Sequence, residues 1–109
     1  MAAALTIVPA SGSITAASTV CRVEVTGADQ NDITGYSTTI YPTSPELRFY
    51  LLFDAPAGTD DGRSYEFGVN EDGDHTFNNY IFPNDGSWTV RLRDASDDSD
   101  VATLAVTVA

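Results

Sequence analysis

Gly86-Ser87-Trp88-Thr89-Val90-Arg91-Leu92-Arg93 is the stretch whose reading decides the fold. Trp88, Val90 and Leu92 fall on one side of a period-two pattern, and Ser87, Thr89, Arg91 and Arg93 on the other. Side chains alternate faces along a strand, so this is a half-buried β-strand with an apolar inner face and a polar, basic outer one. Pro83-Asn84-Asp85-Gly86 supplies a turn before it, and Asp94 to Asp100 breaks the pattern after it.

The other apolar runs read as partners for this strand. Leu5-Thr6-Ile7-Val8, stopped by Pro9, is a short first strand, and small polar residues follow to Ser18. Thr19 to Thr26 is the second, with Cys21, Val23 and Val25 on one face and Arg22 and Glu24 on the other. Glu46 to Asp54 has the cleanest alternation: Leu47, Phe49, Leu51 and Phe53 inward, Arg48, Tyr50, Leu52 and Asp54 outward. A fourth strand alternates Tyr65, Phe67 and Val69, and Asn70-Glu71-Asp72-Gly73-Asp74 then forms a tight acidic turn. His75 to Phe82 is a fifth, with Phe77 and Ile81 on one face and Tyr80 and Phe82 on the other. Val101 to Val108 closes the set, with Leu104, Val106 and Val108 as its inner row. The long connection from Ala28 to Pro45 holds one more β-rich piece, Tyr36 to Tyr41, expected as a short edge strand. Seven short strands without one amphipathic helical period predict a single all-β domain over residues 1–109. The economical architecture is an antiparallel β-sandwich with a Greek key.

Composition narrows the function. The 109 residues include 16 carboxylates and 5 basic residues, all of them Arg, for a formal charge of −11. Such a chain repels nucleic acid and anionic membrane, so neither is an expected partner. A basic protein surface or divalent cations fit better. Arg without Lys, with abundant Ala, Thr, Asp and Gly, fits a high-GC genome, and the acidic surface equally fits a high-salt organism. Cys21 is the single cysteine, so no intramolecular disulfide forms and nothing calls for an oxidising compartment. The N-terminus has no basic leader region, and its apolar run is too short for a signal peptide. No stretch is long and apolar enough to span a bilayer as a helix. The expectation is a complete chain made in a cytoplasm.

The chemical inventory is thin. His75 is the only histidine, no Gly-x-Ser-x-Gly elbow occurs, and Cys21 falls on an inner strand face where a nucleophilic thiolate lacks access. The chain is therefore expected not to be an enzyme. Metal is the better chemical question, because three loops at one end of the expected sandwich are rich in Asp. Asp72, Asp74, Asp97 and Asp98 are the Ca²⁺ candidates, since oxygen-only clusters suit that ion. No loop carries the Asp-x-Asp-x-Asp-Gly pattern, and no other cofactor is implied. Tyr50 and Leu52 on an outer face, with Tyr36 and Tyr41 on the long loop, are the candidate interface residues.

These residues carry a family resemblance. The strand with the second cysteine of immunoglobulin-like domains often begins Asp-x-Gly/Ala-x-Tyr-x-Cys, and this chain has Asp85-Gly86-Ser87-Trp88-Thr89-Val90. Trp88 matches the tyrosine-corner position, Val90 the second cysteine, and Cys21 the first. His75-Thr76-Phe77 with Gly86-x-Trp88-x-Val90-x-Leu92 also resembles the polycystic-kidney-disease type of immunoglobulin-like domain, although its Trp-Asp-Phe-Gly-Asp-Gly segment is missing. A short disulfide-free chain of this kind is similar in character to the immunoglobulin-like accessory proteins of tailed phages. That resemblance implies a capsid decoration protein on the virion surface, made in the host cytoplasm and bound to the major capsid protein or another virion protein. Its acidic end, the Ala28–Pro45 loop or the N-terminal segment would dock. The rival expectations are a carbohydrate- or cell-surface-binding adhesion module, with Tyr36, Tyr41 and Tyr50 stacking on surface glycans, and a tail-associated module.

Overall fold

The computed structural model describes residues 3–28, 49–69, 73–95 and 97–109, and among these described residues it has seven strands and no helix. They are β1 (Ala4–Val8), β2 (Cys21–Thr26), β3 (Phe49–Asp54), β4 (Gly62–Arg63), β5 (His75–Tyr80), β6 (Gly86–Asp94) and β7 (Asp100–Val108). They form two antiparallel sheets, one of three strands in the order β1-β2-β5 and one of four in the order β4-β3-β6-β7. The protein is thus all-β, sandwich-like and without a disulfide.

β6 is the centre of the larger sheet, as its alternation requires. Trp88, Val90 and Leu92 are buried, and they pair with Val106, Leu104 and Ala102 on β7. On the other side, Val90 and Leu92 lie opposite Phe53 and Leu51 of β3. β2 faces them from the second sheet with Cys21, Val23 and Val25, all buried. Removing this apolar surface from water is the main force holding the two layers together. Aromatic rings fill the middle: Phe82 stands edge-on to Trp88 at 5.0 Å, and Tyr80 lies flat on Phe53 at 3.7 Å. The Trp88 indole N–H donates to the Asn84 carbonyl at 2.9 Å, which satisfies the one polar atom that the buried ring brings with it.

After Pro9 the chain leaves the smaller sheet and crosses to the larger. Residues 12–16 then run along the outer edge of β7, with a parallel bridge from Ile14 to Val108. Gly12 N–H donates to Thr107 O, Ala109 N–H to Ile14 O, and Ala16 N–H to Ala109 O. An edge that would otherwise offer unpaired backbone groups is covered.

Two expected strands differ from the structure. The alternating Tyr65, Phe67 and Val69 do not form a strand; the short strand in that region is Gly62–Arg63, beside β3, and Phe67 makes only an isolated bridge to Phe49. Ser64 stops the ladder. Its hydroxyl, not a backbone carbonyl, accepts the Leu51 N–H at 2.8 Å and itself donates to the Tyr65 carbonyl. Tyr65 is left 60% exposed while Phe67 and Val69 are buried.

In β5 the expected faces are wrong past Phe77. Val23 pairs with Phe77 but Cys21 pairs with Tyr80, so three steps on β5 match two on β2. The extra residue is a β-bulge, accommodated by Asn79 at φ 64°. It brings Phe77 and Tyr80 to the same side, both against Phe53, and leaves Ile81 44% exposed. The expected edge strand Tyr36–Tyr41 and the inward Leu47 lie outside the described residues.

Candidate functional site

Among the described residues, the outer face of the larger sheet carries a connected set of charged side chains. β3, β6 and β7 place Asp54, Arg91 and Arg93, and Asp100 there, because each occupies the outward phase of its strand. Arg91 is held between two carboxylates, Asp54 at 3.1 Å and Asp100 at 2.6 Å, and Arg93 meets Asp100 at 2.9 Å. Hydrogen bonds from Arg93 first, and then Arg91, hold the Asp100 carboxyl below the usual carboxylate range. Arg22 pairs with Glu24 at 3.0 Å, and Arg63 with Glu66 at 3.6 Å. Arg22, Arg63, Arg91 and Arg93 are therefore all committed to carboxylates of the same molecule.

Tyr50 requires a correction. Its position on the outer face is as expected, yet it is only 2% exposed. The Arg63 guanidinium lies 3.8 Å over the ring, a cation–π contact, and the phenol donates to Asp98 Oδ1 at 2.7 Å. A tyrosine covered this way presents no stacking face. Leu52, two residues on, is half-buried, with Arg63 and Arg91 as its cross-strand neighbours. Tyr36 and Tyr41 lie outside the described residues.

The described parts of the acidic loops lie at one end. Gly27 N–H donates to Asp74 Oδ1 at 3.3 Å, and Ala28 N–H to the Gly73 carbonyl at 3.0 Å, joining the end of β2 to the start of β5. The β6–β7 turn lies at the same end, since Asp94 pairs with Phe49. Each described carboxylate there has its own task. Asp97 Oδ1 accepts the Ser99 amide at 3.0 Å and hydroxyl at 2.7 Å, which holds its pKa down, while Asp98 accepts Tyr50. Asp74, Asp97 and Asp98 are not brought together on one point. Among the described residues no three His, Cys, Asp or Glu side chains could hold a metal ion. Asp72 lies outside the described residues.

The nucleophile candidates are equally engaged. Cys21 is buried, its thiol directed to the Thr19 carbonyl at 3.7 Å, and burial raises its pKa. Burial also pushes Tyr80 up to about 12, with the neighbouring Cys21 adding to the shift. His75 is stacked on Phe67 at 4.0 Å and 10°, its Nε2 is buried without a hydrogen-bond partner, and desolvation lowers its pKa. Among the described residues, no serine or carboxylate bonds to that buried Nε2.

One feature was not expected from sequence. Tyr65 stands exposed on the open side between β4 and β5, with Phe77 at 5.4 Å and Phe67 and His75 each at 6.3 Å. The local density of rings in Tyr65-Glu66-Phe67 and His75-Thr76-Phe77 is the signal that points to it. Comparison with known proteins finds no matching family model, no matching curated protein and no matching solved structure.

Proposed function

We propose that this chain is an immunoglobulin-like Greek-key domain that acts by binding through its surface, without catalysis, as an accessory protein on the capsid of a tailed phage. Several observations support the fold assignment. The sheet orders β1-β2-β5 and β4-β3-β6-β7 correspond to A-B-E and C′-C-F-G, and the first strand crosses between sheets. Trp88, at the tyrosine-corner position, bonds back to a backbone carbonyl four residues upstream, as the corner tyrosine does.

The observation that carries the functional reading is the closed network on the outer face, where Arg63, Arg91, Arg93, Tyr50, Asp54, Asp98 and Asp100 satisfy one another. Charges paired in this way suit a rigid, hydrated contact surface better than acid–base chemistry on this face. The strong negative charge favours a basic partner surface, and the resemblance assigns that role to the major capsid protein. Repetition on a lattice makes weak single contacts sufficient.

The test is the copy number of this chain in purified particles of its parent genome. Copies in proportion to the major capsid protein support the decoration role. A few copies per particle move the chain to the tail, and none removes the virion reading. The second reading, a glycan-binding adhesion module, is favoured by exposed Tyr65 beside Phe77. Saccharide binding on an array, lost in a folded Tyr65→Ala variant, would establish it.

A further inference from the structure

Two open sheets have four edges, and each edge offers backbone N–H and C=O groups that an extended strand can bond. Proteins blunt such edges with short strands, charged residues, bulges or a covering segment. Three of the edges described here are blunted in these ways. β4 is two residues long and includes Arg63. β7 begins with the charged Asp100, and its far end is covered by residues 12–16. β5 carries the bulge at Asn79, which interrupts its register with β2.

β1, at the fourth edge, has none of these devices. Its five residues pair with β2 in one unbroken register, from Ala4 opposite Thr26 to Val8 opposite Arg22. Ala4-Leu5-Thr6-Ile7-Val8 contains no charge and no proline, and Thr, Ile and Val favour the extended backbone. Among the described residues, no strand lies on its outer side. Leu5 is buried and Ile7 half-buried in the inner row, while Ala4, Thr6 and Val8 are exposed. A strand added here prolongs the inner row when it brings apolar side chains at alternate positions.

We propose that the added strand is β1 of a second copy, antiparallel about a two-fold axis at Thr6. That register sets Leu5 opposite the other copy's Ile7, Ala4 opposite its Val8, and Thr6 opposite Thr6. Opposed residues point to the same side, so the two inner rows run on as one. The pairing is self-complementary, as a two-fold contact requires. β1 brings no carboxylate to it, and the charges beside it on β2, Arg22 and Glu24, already pair with each other at 3.0 Å. Glu24 and its counterpart stand three strand spacings apart across the axis, about 14 Å, and physiological salt screens charge beyond about 8 Å. The inference is independent of whether the chain is carried on a particle.

Sedimentation velocity across protein concentration tests it, with Thr6 as the lever because it is exposed in one copy and meets itself across the axis. The expected result is a reversible dimer. Thr6→Glu sets two carboxylates directly opposite each other and should weaken the dimer by about tenfold or more. Thr6→Lys lies opposite Glu24 within its own sheet, so it keeps the fold and guards against a folding defect. An equimolar mixture of the two variants should pair more tightly than either alone, since the opposed charges then attract. A wild-type chain that stays monomeric to about 1 mM overturns the proposal. So does a dimer that Thr6→Glu leaves unchanged, or a mixture no tighter than its components. A monomeric chain that binds a synthetic peptide of residues 3–9 would also overturn the pairing of copies, and give the edge to another protein's strand.

Discussion

Tyr50→Phe is the sharpest probe of the outer face, because it deletes one oxygen and keeps the ring. The phenylalanine ring still lies under Arg63, so the cation–π contact at 3.8 Å survives. Only the 2.7 Å bond to Asp98 is lost, together with the support that the phenol oxygen gives Arg93. A hydrogen bond to a charged group contributes about 1.5–3 kcal/mol net, but Asp98 is exposed and water takes over its oxygen in the variant. The expected loss is therefore about 1 kcal/mol. In urea this reads as a lower midpoint at unchanged m, and in a thermal melt as roughly 4–6 °C for a chain of this size. Tyr50→Ala also removes a buried ring and should cost about 3–5 kcal/mol. Asp98→Asn keeps a residue type that tolerates φ 60°, and in a double-mutant cycle with Tyr50→Phe it should show coupling of about 0.5–1 kcal/mol. If Tyr50→Phe leaves the midpoint unchanged and Tyr50→Ala costs less than about 0.5 kcal/mol, as surface substitutions do, the tyrosine is not enclosed and the account of this face fails.

Gly73→Ala should destabilise by about 1–3 kcal/mol in the same urea assay, since Gly73 has φ 84° and a methyl there would overlap the Ala28 carbonyl and amide. His75 gives a pH dependence of definite sign. Its folded pKa is lowered, so the neutral form is the one the fold prefers, and its contribution is complete above the unfolded value of about 6.5. That contribution is lost as pH falls from there through the folded pKa, which melts between pH 7.5 and 5 should show in wild type and not in His75→Phe. EDTA should leave the melting temperature unchanged, because the described carboxylates of the acidic end are held by Gly27, Ser99, Tyr50, Arg91 and Arg93. A large drop would reveal a structural cation.

β6 was legible because a strand at the middle of a sheet, with one face dry and one wet, writes period two into its residues. β2 and the inner row of β3 were legible for the same reason. β5 was not, since a bulge adds one residue without changing composition. The Asn78-Asn79 pair, tolerant of left-handed backbone, is its only mark. The region after Gly62 misled because Ser64 substitutes a hydroxyl for a carbonyl in the ladder, and alternation in hydrophobicity cannot register that exchange. The outward phase of Tyr50 could be read from the chain, but its burial could not. Arg63 and Asp98 cover it from 13 and 48 residues away, and long-range contacts of that sort have no local signature. The cluster of Asp74, Asp97 and Asp98 was legible as one end of the molecule and not as separate hydrogen-bonding tasks.

The parallel run of residues 12–16 along β7 has a mechanical consequence. Strands that lie parallel near opposite ends of a chain, when drawn apart by those ends, slide along each other and do not peel. The bonds Gly12–Thr107, Ile14–Ala109 and Ala16–Ala109 would then share a pulling force and fail together, not one after another. Tension applied between the residues before Gly12 and Ala109 itself loads this clamp. The ends of the chain are thus tied by bonds that are loaded in parallel, so that stretching must break them together.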